Sequence, residues 1–264
     1  MSYFNNKTVW ITGASEGIGK ALALELAAKG AKIILTARNI EKLKAVQSAL
    51  KGEGHIVLPM DLLKTDEISA KVETLLQKVP TIDILINNAG ISQRSLVKDT
   101  AIEVDRKIME LDYFAVITLT KALLPHFLDR KSGHIVTISS VAGKLGVPMR
   151  SAYCAAKHAV IGFMGSLRAE TYPYGIKVLV VTPGSIQTNI SKNALEGDGK
   201  KHGVTDPAIE NGIAVDKCAS LIVKGIEAGK SELLIAEGKE KIATYLGRFA
   251  PNTLFKMLRS MKTT

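Results

Sequence analysis

The 264 residues predict an α/β fold, a doubly wound parallel sheet of about seven strands with helices on both faces. Three observations predict it. Short apolar runs rich in β-branched residues recur along the chain, helical stretches separate them, and the first run ends in a glycine-rich turn that opens a helix. Continuous apolar strands alternating with helices indicate a parallel sheet covered on both faces, and right-handed crossovers then wind it doubly.

The expected strands are 8–12, 32–36, 55–59, 82–86, 134–139, 176–182 and 232–236. The expected helices are 17–29, 40–51, 65–78, 101–129, 151–173 and 214–228. No 20–50-residue repeat, low-complexity tract or linker divides the chain, so residues 1–264 are read as a single domain. Residues 189–213, rich in Gly, Asn, Lys and Asp, are its least regular part. In such sheets ligands lie beyond the carboxyl ends of the strands, so this segment is placed as a substrate loop, with an irregular surface excursion as the plainer reading.

Composition narrows the classes. Hydrophobic residues make up 46% and charged residues 23%, ordinary values for a globular protein with a substantial core. Two cysteines, Cys154 and Cys218, are too few for a disulfide framework or a four-ligand zinc site, and no metal site is expected. The N-terminus shows no secretory pattern, and no run approaches the roughly 20 apolar residues of a membrane span, so a cytoplasmic protein is expected. Half of the net charge of +10 comes from residues 239–264, where six basic residues (Lys239, Lys241, Arg248, Lys256, Arg259 and Lys262) face one acid, Glu240. This C-terminal tail also carries Tyr245, Leu246, Phe249, Leu254, Phe255, Met257 and Leu258, interrupted by Pro251. It reads as a solvated basic face, as a surface segment making weak peripheral membrane contact, or as a flap over a substrate mouth. No aromatic-basic interleaving points to nucleic acid, and no nucleic-acid partner is expected.

The chemistry begins at the first turn. Thr12-Gly13-Ala14-Ser15-Glu16-Gly17-Ile18-Gly19 follows a strand and precedes a helix. Glycines there permit a tight turn and close approach of backbone N–H groups to a pyrophosphate, which faces the positive end of the helix. A triphosphatase loop is excluded, because its Gly-Lys stands one residue earlier and is followed by a hydroxyl, whereas Ala21 has none. At the end of the second strand, where an acid typically holds the adenosine ribose, the chain has Arg38-Asn39. A guanidinium suits a 2′-phosphate, so NADP(H) is favoured over NAD(H), although Glu16 works slightly against it. In Ser151-Ala-Tyr153-Cys-Ala-Ala-Lys157 a tyrosine and a lysine stand four apart on one helix face, a spacing that Tyr3 and Lys7 repeat.

These pieces, with Asp61 after the third strand, Asn87-Asn88-Ala89-Gly90 after the fourth, Ser139-Ser140 after the fifth, and Pro183-Gly184 with Thr188 after the sixth, resemble the short-chain dehydrogenase/reductase family in its single-domain, Rossmann-like form, in the family's order and along nearly the whole chain. The resemblance implies that Tyr153 is the proton donor to a carbonyl, or the base in the reverse direction. It implies that Ser140, 13 positions before it, hydrogen-bonds the same oxygen, and that Lys157 holds the nicotinamide ribose and eases proton loss from the phenol. An ammonium about 4 Å from a developing phenolate is worth about 4 kcal/mol at an effective dielectric of 20. The implied cofactor contacts are Gly13, Ser15, Gly17, Ile18, Gly19, Arg38, Asn39, Asp61, Leu62, Asn88, Ala89, Gly90, Tyr153, Lys157, Pro183, Gly184, Ile186 and Thr188.

One departure stands out. Where the family has an asparagine completing a proton relay to the lysine, this chain has Asp112, which keeps a backbone carbonyl but cannot donate an amide hydrogen bond. Modestly altered activity is expected. The mouth residues are expected to be Ser92, Gln93 and Arg94 with Lys144, Leu145, Val147, Pro148 and Met149, a mixed apolar and basic lining suited to a hydrophobic ketone or secondary alcohol. The segment Arg248-Phe-Ala-Pro-Asn-Thr-Leu-Phe255 is similar to that of family members reducing acyl-dihydroxyacetone-phosphate. The alternatives are a 3-oxoacyl-carrier-protein reductase and, from another class, a non-catalytic dinucleotide-sensing scaffold. The resemblance also implies a homodimer or homotetramer, paired through the helices containing 101–129 and 151–173.

Overall fold

The computed structural model describes residues 2–259. In order the elements are β1 (Thr8–Thr12), α1 (Gly17–Ala28), β2 (Lys32–Thr36), α2 (Ile40–Ser48), β3 (Ile56–Val57), α3 (Thr65–Lys78), β4 (Ile84–Asn87) and α4 (Ile102–Met109). A π-helical turn, Glu110–Phe114, joins α4 to α5 (Ala115–Arg130), followed by β5 (Gly133–Ile138), α6 (Ser151–Thr171), β6 (Ile176–Pro183), the short α7 (Pro207–Glu210), α8 (Val215–Glu227), β7 (Glu232–Ile235), α9 (Gly238–Phe249) and α10 (Pro251–Leu258).

The seven strands form one sheet in the order β3-β2-β1-β4-β5-β6-β7, each pair parallel. The period of two along a strand divides the core. In β1, Val9 and Ile11 face the side covered by α1 and α8, where Leu22, Leu26, Ile222 and Ile226 are buried. Trp10 faces the other side with Ile68 of α3, Leu123 of α5 and Met164 of α6, and its indole N–H donates to Thr36 Oγ1 at 2.9 Å. The chain builds outward from β1 through β2 to β3 and then returns to place β4 on β1's other flank. The carboxyl ends of β1 and β4 therefore diverge at a topological switch point, where open α/β sheets form a crevice.

Three differences from the sequence reading have physical causes. The third strand shrinks to two residues, because His55 turns its ring inward to accept from Ile33 N–H at 3.1 Å instead of pairing as a strand residue. The expected helix 101–129 runs without a break over Ile102–Arg130, but it widens into a π-helical turn at residues 110–114, where Ala115 N–H reaches back five residues to Glu110 O. By length and composition the continuous stretch Ile102–Arg130 is apolar enough to cross a membrane, contrary to the expectation that no run comes near. Its apolar residues Leu119, Leu123 and Phe127 instead pack in the core beside α3 and α6.

The tail is two helices broken at Pro251, which opens α10 at a position needing no helical donor. Leu254 is buried, while Ile242, Tyr245, Phe249 and Phe255 are exposed. Lys262 lies outside the described residues. Residues 189–213 are ordered by bridges pairing Gln93 with Leu195 and Ile186 with Ile213.

Candidate active site

A cleft of about 620 Å³ opens at the β1/β4 switch point. Its floor is built by side chains that tie strand ends together. Thr12 Oγ1 accepts from the N–H groups of Asn88 (3.0 Å) and Ala89 (3.1 Å), and the Asn88 amide donates to the carbonyls of Thr12 (2.9 Å) and Gly13 (3.2 Å). Asn88 thus shapes the glycine turn from behind. Gly13 has φ +64°, and a Cβ there would stand 2.8 Å from Ala89 Cα, so only glycine fits. A Cβ on Gly19 would stand 2.3 Å from Gly13 O and 2.5 Å from the Asn88 amide nitrogen. Gly19 is the single predicted cofactor contact that does not line the cleft; it is a packing position that lets α1 start against the turn.

At one end of the cleft lie Ser15, Gly17, Ile18, Arg38, Asn39, Asp61 and Leu62. Asn39 Oδ1 caps α2 by accepting from Lys42 N–H at 2.8 Å, and Asp61 Oδ1 accepts from Leu63 N–H at 3.2 Å. Arg38 is exposed to the cleft. Lys42, which the sequence reading missed, also lines it, and its ammonium stands 3.3 Å from Glu16. Glu16 further accepts from Asn193 Nδ2 at 2.9 Å. The acid that weighed against a phosphate there is thus partnered by a cation and an amide. Lys42 lies in the first turn of α2, beyond the strand end where the sequence pattern directs attention, and no local signal marks it.

At the other end Asn88, Ala89, Gly90, Asp112, Ser140, Tyr153, Lys157, Pro183, Gly184, Ile186 and Thr188 share the cleft wall. Lys157 is buried in α6, with its ammonium 5.6 Å from the Tyr153 ring centroid, donating to Ile138 O at 3.2 Å and standing 3.2 Å from Asp112 Oδ2. The π-helical turn delivers Asp112 there, fully buried, with Oδ1 accepting from Ile91 N–H at 2.8 Å. Burial pushes the Asp112 carboxyl up, against the pull of Lys157 and Ile91. Burial works to lower the Lys157 ammonium, but the charges of Asp112 and Tyr153 outweigh it and hold it above its ordinary value. We read the two as an ion pair.

The two serines after β5 divide their work. Ser139 is buried, and its hydroxyl donates to Lys157 O at 3.0 Å, fixing α6 to the strand. Ser140 Oγ accepts from Ala142 N–H at 3.1 Å, which leaves its own proton free toward the cleft. The expected mouth residues are elsewhere. Gln93 is buried and spends its amide on Ser95, Thr100, Ser151 and Ala152; Arg94 is buried against Asp206, with its second donor also on Ser92 and Gln93. Lys144 pairs with Glu232 at 2.9 Å, and Leu145 is buried. None of the expected mouth residues lines the cleft; Leu111, Ile190, Leu195 and Ile209, with Lys107 and Lys201, take that place.

A cleft at a parallel-sheet switch point thus carries a serine, a tyrosine and a lysine on one wall. A family model for short chain dehydrogenase matches residues 7–199. Dehydrogenase/reductase SDR family member 7B of Mus musculus is 39% identical over 98% of this chain and 82% of its own length, and dehydrogenase/reductase SDR family member 7 of Homo sapiens is 40% identical over 92% and 74%. A solved short-chain dehydrogenase from Streptomyces avermitilis superposes with a TM-score of 0.81 at 30% identity, covering 97% of this chain and 96% of its own. A short chain dehydrogenase from Burkholderia cenocepacia in complex with NADP gives 0.81 at 25% identity, covering 99% and 100%. The chain belongs to the short-chain dehydrogenase/reductase family.

Proposed function

We propose that the chain is an NADP(H)-dependent oxidoreductase acting on a ketone or secondary alcohol of hydrophobic or lipid-like character. The observation that carries this reading is the convergence of Ser140, Tyr153 and Lys157 on one cleft whose adenosine end offers Arg38 and Lys42 and no unpartnered acid. The residues fit a dinucleotide. The glycine turn would be filled by any Cβ at Gly13, and the backbone of Gly13–Ile18 leads into the positive end of α1. Arg38 and Lys42 would hold the 2′-phosphate, Asp61 would face the adenine, and Ile186 and Thr188 the carboxamide. Among the similar solved structures one holds NADP and another NAD, so the choice of NADP(H) rests on Arg38 and Lys42.

A bound nicotinamide supplies the hydride. The protein's part is orientation and proton handling. Ser140, with its oxygen already accepting from Ala142, donates its hydroxyl proton to the substrate oxygen and holds it beside Tyr153. Tyr153 gives that oxygen its proton in reduction and takes it back in oxidation. Lys157 faces the phenol with a positive charge that eases this transfer, and Asp112 and Ile138 O hold the ammonium in place. Leu111, Ile190, Leu195 and Ile209 offer an apolar wall, and the exposed Lys107 and Lys201 favour substrates bearing an anionic group.

The test is NADPH and NADH oxidation with a panel of long-chain ketones, 3-oxoacyl thioesters and short ketones. Turnover with NADPH at least tenfold above NADH, best on long apolar ketones, supports the reading. Inactivity across the panel despite tight NADPH binding favours a dinucleotide-sensing scaffold. Arg38→Glu should cost NADPH affinity about 10- to 100-fold, the worth of charge-assisted hydrogen bonds to one anion.

A further inference from the structure

The basic C-terminal segment contributes one acid, and that acid is spent inside the protein. Glu240, in the first turn of α9, accepts through Oε2 from Ser185 N–H at 2.8 Å and through Oε1 from the Ser185 hydroxyl at 2.6 Å. The carboxylate lies so close over Gly184 that a Cβ there would stand 2.0 Å from Oε2. Gly184 lines the cleft and Glu240 does not, so the contact is made from behind the loop. The same loop is pinned elsewhere by three backbone bonds, Gly184 N–H to Ile235 O at 2.8 Å, Ile213 N–H to Ser185 O at 2.9 Å and Gln187 N–H to Ile213 O at 3.0 Å, and by the Gln187 amide donating to Glu210 O at 3.0 Å, so Glu240 supplies its one charged anchor among the described residues. Further along α9, a Cβ on Gly247 would touch Lys144 O at 3.5 Å and Leu145 Cβ at 3.8 Å, in the segment that follows the Ser140 turn. One helix therefore rests on both loops that flank the catalytic end of the cleft.

We propose that Glu240 is a positioning residue for cofactor binding, clamping the Pro183–Thr188 loop through Ser185, so that the C-terminal helices act as a strap whose docking and nicotinamide binding favour each other. The proposal rests on the dinucleotide reading above. A charge-assisted pair of hydrogen bonds on one serine fixes the backbone that carries Ile186 and Thr188, and a loop held in its bound shape binds without the cost of ordering it. Reciprocity follows: if the docked strap raises affinity for the dinucleotide, the dinucleotide must hold the strap down by the same factor.

The experiment is calorimetric titration of NADPH into the full-length protein and its variants, together with hydrogen exchange of residues 238–258 with and without NADPH. Glu240→Ala is expected to raise the NADPH Kd about tenfold or more, and Ser185→Ala, which keeps the backbone donor, about threefold. Glu240→Gln should stay within about threefold of the parent, because its amide oxygen still accepts from the Ser185 N–H and the hydroxyl can turn to accept from its NH₂. Glu237→Ala, which breaks only the exposed pair with Lys217, should leave the Kd unchanged. NADPH should slow exchange across α9 in the parent and not in Glu240→Ala. A folded Glu240→Ala with a Kd within twofold of the parent overturns the proposal, as does exchange in α9 indifferent to NADPH. If Glu240→Ala does not fold, an unchanged Kd in Ser185→Ala overturns it equally. A parent protein that binds no nicotinamide dinucleotide at all defeats the functional reading itself, and the two failures are thus told apart.

Discussion

Asp112→Asn removes one charge from the catalytic end of the cleft while keeping the side chain's shape. The Lys157 ammonium is 5.6 Å from the Tyr153 ring centroid, and Asp112 Oδ2 is 3.2 Å from that ammonium, so the carboxylate lies no more than about 9 Å from the ring. At an effective dielectric of 20 the ammonium favours a negative charge on the ring by about 3 kcal/mol, and the carboxylate opposes it by about 2 kcal/mol or more. The buried acid thus cancels most of the field that the lysine supplies. Its removal should ease formation of negative charge on the ring by about 2 kcal/mol. The assay is kcat/KM for alcohol oxidation against pH, which reports the essential base of the free enzyme. The acid-side inflection should move to lower pH in Asp112→Asn. The alkaline limb should fall earlier as well: Lys157 loses the larger of the two charges that hold it high, and burial then weighs more heavily toward the neutral amine. A profile and turnover within twofold of the parent would refute the reasoning, and would mean that the fully buried carboxyl already carries a proton beside Lys157.

Three further perturbations probe the frame that holds the site. His134 is buried at the start of β5, and burial, reinforced by Lys177 and Lys7, lowers its pKa to about 4. The unfolded chain takes up that proton near pH 6.5, so the folded state loses about 3 kcal/mol as pH falls from 6.5 to 4. Urea unfolding at pH 7.5 and 4.5 should show His134→Asn losing correspondingly less than the parent, and equal losses would exclude it. Gly19→Ala forces a methyl to within 2.3 Å of Gly13 O and should destabilise by about 3 kcal/mol, a melting point roughly 5–10 °C lower by calorimetry; an unchanged melting point would count against the tight packing of α1 on the turn. Asp206→Asn leaves the buried Arg94 and the half-buried Arg150 without their shared carboxylate. It should cost about 3–5 kcal/mol in chemical denaturation and free residues 189–213 to proteolysis, whereas a neutral effect would show the pairing to be dispensable.

What was legible in the sequence was what local chemistry dictates. The strands of β1, β2 and β6 and the helix Thr65–Lys78 follow from apolar runs and periodicity, and the glycine turn, Asn88, Ser140, Tyr153 and Lys157 sit in short motifs at strand ends or on one helix face. What was hidden depends on distant partners. Ser92, Gln93 and Arg94 read as mouth residues because they are polar and follow β4, yet Asp206, Ser151 and Thr100, up to 112 positions away, draw them into the interior. The π-helical turn was invisible because Glu110–Phe114 has ordinary helical residues, and it is the burial of Asp112 against Lys157 that marks it. The tail read as a basic face because five of its described charges are positive, while Leu254, Gly247 and Glu240, the residues that dock it, are single positions without a pattern.

The most direct test of the central claim is single-turnover reduction by Tyr153→Phe at saturating NADPH and ketone, with NADPH affinity measured alongside. The account predicts an NADPH Kd within about threefold of the parent and a chemical step slowed by about 10²- to 10⁴-fold, the worth of a positioned proton donor. A chemical step within tenfold of the parent would show that the phenol is not the donor.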